Sequence, residues 1–199
     1  MENIKMSLFN APIAPQRNAI GQFLKNASLT PAAEVSLEQV FKLITEDGQL
    51  KELTCRVRSA KDRRAAKASL LPYVTPCGVF TRRKADGLVT PSGLVVIDID
   101  HLPCADDAKR LKERLFGDAF LRPALVFVSP SGLGVKAFVP YSTLRNPNIF
   151  KNISENTRWA MNYVRMAYGD LPGGASVDAS GKDVARACFL CHDGEAMIR

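Results

Sequence analysis

The stretch Leu94-Val95-Val96-Ile97-Asp98-Ile99-Asp100 decides how this chain is read. Its run of branched apolar residues predicts a strand buried on both faces. Side chains two apart in a strand point to the same side. Asp98 and Asp100 therefore project together, with Ile97 and Ile99 packed on the opposite face. Two like charges on a largely buried strand are costly unless something neutralises them. A hard divalent cation held by carboxylate oxygens, Mg²⁺ or Mn²⁺, meets that need and is commonly used to bridge phosphates. The competing reading ends the strand near Asp98 and leaves both acids in a solvated loop.

Working outward, the flanking segments predict an α+β fold with one core. Ile4–Phe9 reads as a short edge strand and residues 16–27 as a short helix. Ser36 and Gln39 have capping-box spacing, which predicts a helix from Ser36 to Asp47 ended by Gly48. Gln49–Arg58 and Lys61–Leu71 read as further helices, the latter stopped by Pro72. Leu71 to Phe80 reads as a turn into a strand, and Asp86-Gly87 as a hairpin turn. Cys104–Phe116 reads as an amphipathic helix, Ala124–Ser129 and Val135–Pro140 as strands, and Asn148–Tyr168 as a long helix. After Gly173-Gly174 only Cys188–Leu190 reads as a strand. The expected division is a mainly helical, basic N-terminal extension over 1–60 and a core over 61–199, together one continuous unit.

Composition narrows the partners. The 199 residues are 46% hydrophobic and 24% charged, with a formal net charge of +7. Residues 1–90 hold 14 Lys/Arg and 8 Asp/Glu, so +6 of that charge sits there and +1 in the rest. Arg56, Arg58, Lys61, Arg63, Arg64 and Lys67 form one basic cluster and Arg82-Arg83-Lys84 another. Such clusters suit a polyphosphate partner through counterion release, and of these Arg56, Arg58, Arg63, Arg64, Arg82, Arg83 and Lys84 are the candidate nucleic-acid contacts. No apolar run is long enough to span a bilayer, and no basic-then-apolar leader is visible, which predicts a cytoplasmic protein with no membrane partner. Five cysteines without a leader predict reduced thiols.

Three further motifs bear on chemistry. Ser131-Gly132-Leu133-Gly134-Val135-Lys136 joins two strands through a Gly-rich turn, whose backbone can approach a phosphate while Lys136 supplies charge. It lacks the Lys-Ser/Thr pair and following helix of a P-loop, and a plain tight hairpin is the alternative. Asp178 to Arg186 supplies a third carboxylate, Asp178, and a phosphate clamp, Arg186, unless Asp183 and Arg186 form a structural pair. Cys188-Phe189-Leu190-Cys191-His192 has the spacing of covalent haem attachment. Its apolar centre and the missing leader favour a buried strand instead, and a second cysteine pair for zinc is absent.

The blocks "LPYVTPCGVF", "SGLVVIDIDHL", "SPSGLGVKAFVPY" and "VDASGKDVARACFL", in that order, resemble the VirE N-terminal-like domain found at the front of primase–helicase proteins of mobile elements and phages. That family is regarded as a divergent branch of the archaeo-eukaryotic primase superfamily. The resemblance spans roughly residues 60–195. It implies a primase–polymerase core: an RRM-like sheet with helices packed on one side and the active site on the open face. It assigns metal binding and catalysis to Asp98, Asp100 and Asp178, and nucleotide-phosphate contacts to Ser131, Gly132, Gly134, Lys136 and Arg186. Lys136 stands where many members carry histidine. The implied chemistry is two-metal nucleotidyl transfer, with carboxylate-held ions activating a 3′-hydroxyl and steadying the leaving pyrophosphate. Implied partners are single-stranded DNA template, nucleoside triphosphates, and a helicase on the same longer chain or a partner chain. A binding module of the same fold without turnover, and a nuclease on the same carboxylates, are the competing expectations.

Overall fold

The computed structural model describes residues 4–18, 20–140, 153–169, 171–178 and 183–199. Among the described residues it is a mixed α/β structure with five α-helices and antiparallel sheets. None of the described helices is long and apolar enough to cross a membrane.

The front layer is a sheet in the order β12-β5-β1-β4, built from β1 (Lys5–Phe9), β4 (Ala33–Ser36), β5 (Tyr73–Thr75) and β12 (Cys188–Phe189). Between β1 and β4 the helix expected over 16–27 is instead a hairpin, β2 (Gln16–Arg17) against β3 (Phe23–Lys25). Turn chemistry overrides helix propensity there. Asn18 Oδ1 accepts from the Ile20 and Gln22 amides, and Gly21 sits at φ +80°, a left-handed conformation that glycine adopts without a Cβ penalty.

Ser36 starts α1 (Leu37–Glu46) with the reciprocal capping box its spacing predicts. Its hydroxyl accepts from Gln39 N at 3.1 Å, and Gln39 Oε1 accepts from Ser36 N at 2.8 Å. Such a cap is worth about 1 kcal/mol. Gly48, expected to end a helix, instead opens α2 (Gly48–Ser59), because Asp47 is the N-cap and accepts from Leu50 N at 2.5 Å. Asp62 caps α3 (Arg63–Leu70), which ends ahead of Pro72. β6 (Gly78–Phe80) and β7 (Leu88–Pro91) form a hairpin around a 3₁₀ turn at Ala85–Gly87, so the Asp86-Gly87 signal marks a real reversal.

The second layer follows in chain order as β8 (Leu94–Asp100), α4 (Ala105–Phe116), β9 (Leu125–Val128), β10 (Val135–Pro140), α5 (Ile153–Ala167) and β11 (Ser176–Val177). These strands lie in the order β11-β8-β10-β9, and β13 (Met197–Ile198) adds to the free side of β9. β11 and β13 fall where no strand is expected. Each is two residues long and is held by its partner's register rather than by a period of its own. Asn148 and Phe150, expected at the start of the long helix, lie outside the described residues.

The two faces of β8 have different covers. Val95, Ile97 and Ile99 pack with Leu111 and Leu115 of α4 and with Ala160 and Val164 of α5. Leu94 and Val96 enter a second cluster with Phe127, Phe138, Met6, Val40, Ile44, Val57 and Val74, which joins the two sheets and the front helices. The face expected to be open is therefore covered along most of its length. It opens only toward the Asp100 end of β8, where polar side chains replace apolar ones.

Candidate metal centre

Sheet register lines up the site. Asp98 is the cross-strand partner of Lys136 on β10. On the other side β11 pairs Ser176 with Asp100 and Val177 with Ile99. The ladder continues through a 2.9 Å bond from Asp178 N to the Asp98 carbonyl. Directly paired residues share a face, so Lys136, Asp98 and Asp178 form a row across three strands, with Asp100 one pleat further along. Carboxylate oxygens of Asp98, Asp100 and Asp178 all lie within 4.8 Å of one another. The spacing argument for the Asp98/Asp100 pair holds, and the loop alternative does not.

Two cations already answer part of this charge. Lys136, buried in the sheet, donates to Asp98 Oδ2, and Arg186 donates to Asp178 Oδ2. The structural pair weighed between Asp183 and Arg186 is thus made with Asp178 instead. Asp98 is 8% exposed, and its other oxygen, Oδ1, is buried without a hydrogen-bond partner among the described residues. A buried carboxylate oxygen in that state is costly unless a ligand completes it. Burial, reinforced by the Asp98 charge, pushes the Asp100 carboxyl above its ordinary value against the opposing pull of Lys136 and Lys67. Burial alone would lower the Lys136 ammonium. The Asp98 carboxylate outweighs it and holds that group above the usual lysine range. Asp98, Asp100 and Asp178 each offer one carboxylate oxygen to this cluster, a donor set that could hold a metal cation.

The row opens into a cleft of about 400 Å³ between the two layers. Arg64 and Lys67 of α3, Arg83, Lys136 and Arg186 line it as cations, facing Asp98, Asp100, Asp178 and Asp183, with Ile13 and Phe189 as apolar wall. The Lys67 ammonium lies 5.4 Å from the centre of the Phe189 ring, and Arg83 lies 5.5 Å from that of Tyr73. A second cavity of about 430 Å³ shares Arg64, Lys67 and Asp100 and adds Arg63, His101 and Ser131.

The Gly-rich turn packs tightly against the Asp100 end of β8. Gly132 N donates to the Ser129 carbonyl and Leu133 N to Ser131 Oγ, so both amides are used inside the turn. Gly134 is needed for contact. A Cβ there would stand 2.6 Å from the Ile99 carbonyl and 2.9 Å from Asp100 Oδ1. The turn thus brings β10 close enough to β8 to pair Lys136 with Asp98. Arg58 braces it by donating to the Pro130 carbonyl at 3.3 Å.

Of the basic residues singled out, Arg63, Arg64 and Arg83 reach the two cavities, while Arg58 holds the turn. Arg82 is occupied by Asp86 at 2.6 Å on the exposed β6–β7 hairpin, and neither Arg56 nor Lys84 lines either of these two cavities. Lys67, Asp183 and His101 belong to the site although they were not singled out for it. Lys67 stands one helical turn beyond Arg63 and Arg64, and that i+3/i+4 spacing could have found it. Cys188 and Cys191 are buried, with burial raising their thiols to about 11 and about 12, which fits core packing rather than haem attachment.

Residues 65–197 match the family described as BT4734-like, N-terminal domain, and the chain belongs to that family. This corrects the resemblance to the VirE N-terminal-like domain. All four blocks behind that resemblance fall inside the matched segment. No curated protein and no solved structure matches the chain.

Proposed function

We propose that this chain is a metal-dependent nucleotidyltransferase domain of primase–polymerase type, using Mg²⁺ or Mn²⁺, a single-stranded DNA template and nucleoside triphosphates. The observation that carries the reading is the trio Asp98, Asp100 and Asp178, with Asp98 Oδ1 orphaned, at the floor of a cleft whose walls are cationic. The strand–helix–strand–strand–helix–strand order of β8 to β11, with sheet order β11-β8-β10-β9 and α4 and α5 against one face, supports an RRM-like, primase–polymerase-like core.

Three carboxylates with Lys136 and Arg186 leave one net negative charge in the row. A bound divalent cation would offset that charge and polarise phosphate oxygens. The site would then be net positive and suited to a polyanion. Lys136 and Arg186, released in part from their carboxylates, would hold the triphosphate from the floor, and Arg64, Lys67 and Arg83 would hold it from the walls. In the transfer the 3′-hydroxyl oxygen bonds to the α-phosphorus, the bond to pyrophosphate breaks, and the hydroxyl proton leaves to solvent or a carboxylate.

The reading is tested by primer extension on a single-stranded template with Mg²⁺ or Mn²⁺, comparing the native chain with Asp98→Asn/Asp100→Asn. Incorporation abolished in the double variant is expected. A second reading, a binding module without turnover, draws on the same ion pairs, since Lys136 and Arg186 already partner two of the three acids. Template binding with no incorporation under either metal would select it.

A further inference from the structure

The β2–β3 hairpin has no role in the site described so far, yet it is among the most unusual surfaces of the molecule. Its strands pair only with each other. Among the described residues, four of the six exposed large apolar side chains lie in or just after it: Ile20 at 78%, Phe23, Leu24 at 65% and Leu29. Exposed apolar side chains gathered on one projecting element mark a contact surface rather than ordinary surface scatter.

The hairpin is also preorganised. Asn18 holds the tip through the Ile20 and Gln22 amides, and its side-chain amide donates to Gln22 Oε1 at 3.0 Å. Arg17 ties the tip by donating to the Gly21 carbonyl at 2.9 Å, and its guanidinium lies 5.8 Å from the Phe23 ring centre. The stem is anchored at the cleft. Ile13, in the cleft wall, donates through its amide to the Ala68 carbonyl of α3, and Arg83 contacts the Ile13 and Leu29 carbonyls.

Charge identifies the partner. No acidic residue stands between Glu2 and Glu34, while Arg17 and Lys25 flank the apolar tip. Cations beside a half-exposed aromatic ring and aliphatic side chains are what a polynucleotide strand requires: charge for its phosphates and flat apolar surface for its bases. We propose that the β2–β3 hairpin is a platform on which bases of a single-stranded polynucleotide stack as the strand passes over the lip of the cleft. The proposal deepens the polymerase reading, because it names where template sits, but its binding test does not require turnover.

The test is fluorescence anisotropy with an oligo-thymidylate strand and an abasic strand of equal length, on the native chain and on Phe23→Ser/Leu24→Ser. Both substituted side chains are solvent-exposed, and unchanged circular dichroism and melting temperature establish that the variant folds. Stacking predicts that the variant loses about fivefold or more in affinity for the thymidylate strand and little for the abasic strand. Arg17→Gln should weaken both strands and reduce the salt dependence. Equal binding of the thymidylate strand by native and variant chains overturns the proposal, as does an equal loss for both strands. A dimer of the native chain that the double variant dissolves, or hairpin-dependent binding to anionic phospholipid vesicles without oligonucleotide binding, overturns it in favour of that other partner. The Asp98→Asn/Asp100→Asn chain should retain the hairpin-dependent affinity. Incorporation without hairpin dependence then removes only this proposal, and hairpin-dependent binding without incorporation removes only the polymerase reading.

Discussion

Lys136→Met probes the row across the sheet, because Lys136 is the internal counter-ion of Asp98. Lys136 is 6% exposed and Asp98 8%, so removing the ammonium leaves a buried carboxylate next to Asp100 and Asp178 with no other cation in contact among the described residues. Breaking a buried pair from one side costs about 3–5 kcal/mol. A domain of this size has a total stability of about 5–15 kcal/mol, and 1 kcal/mol shifts Tm by about 2–4 °C. The expected drop in Tm is therefore about 10 °C, measured by circular dichroism in chelator. Adding Asp98→Asn to Lys136→Met should recover much of it, since the pair is then removed rather than broken. Mn²⁺ should raise the Tm of Lys136→Met more than that of the native chain, because the cation replaces the lost ammonium and binds the folded state selectively. The lysine contribution is present below its ordinary titration range and is lost only as pH rises above it, so the effect should be constant from neutral pH to about pH 9. Lys136→Met within about 0.5 kcal/mol of the native chain, a change typical of surface sites, would refute the reasoning. So would a double variant less stable than the single one.

Three other outcomes follow from the same geometry. Asp100 has its carboxyl raised by burial and by Asp98, so its charge destabilises the metal-free fold above that raised value. Asp100→Asn should be more stable than the native chain at pH 7 in chelator, and the difference should shrink as pH falls through the folded and then the unfolded titration of Asp100, as denaturant titrations can record. Gly134→Ala should cost about 1–3 kcal/mol through the Ile99 and Asp100 contacts. Gly132→Ala, strained at φ +78° but facing only the Arg58 guanidinium at 3.7 Å, should cost about 1 kcal/mol. Cys55 and Cys104 are exposed while Cys77, Cys188 and Cys191 are buried, so a thiol reagent should titrate two groups rapidly in the native chain and the remaining three only on unfolding.

Much of the candidate site's geometry was legible because strand periodicity carries it. Asp98 and Asp100 share a face for the simple reason that they are two apart, and Ile97 and Ile99 fill the other side as that alternation demands. The Ser36 capping box was equally local and equally readable. What stayed hidden depends on partners distant in sequence. Leu94 and Val96 look like any strand residues, and nothing near them announces that Met6, Val40 and Val57 will cover their face. The pairing of Asp98 with Lys136 needs the register of β10 on β8, which the tight packing at Gly134 helps to secure. The 16–27 segment was misread because composition does not distinguish a short helix from a hairpin when one asparagine organises the turn.

Mn²⁺ titration followed by electron paramagnetic resonance of the free ion tests the central claim most directly, on the native chain and on Asp98→Asn, Asp100→Asn and Asp178→Asn. Saturable binding to the native chain that weakens at least tenfold in each variant is the predicted result. Binding that is absent from the native chain, or equal in all four proteins, would contradict the assignment of these carboxylates as a metal centre.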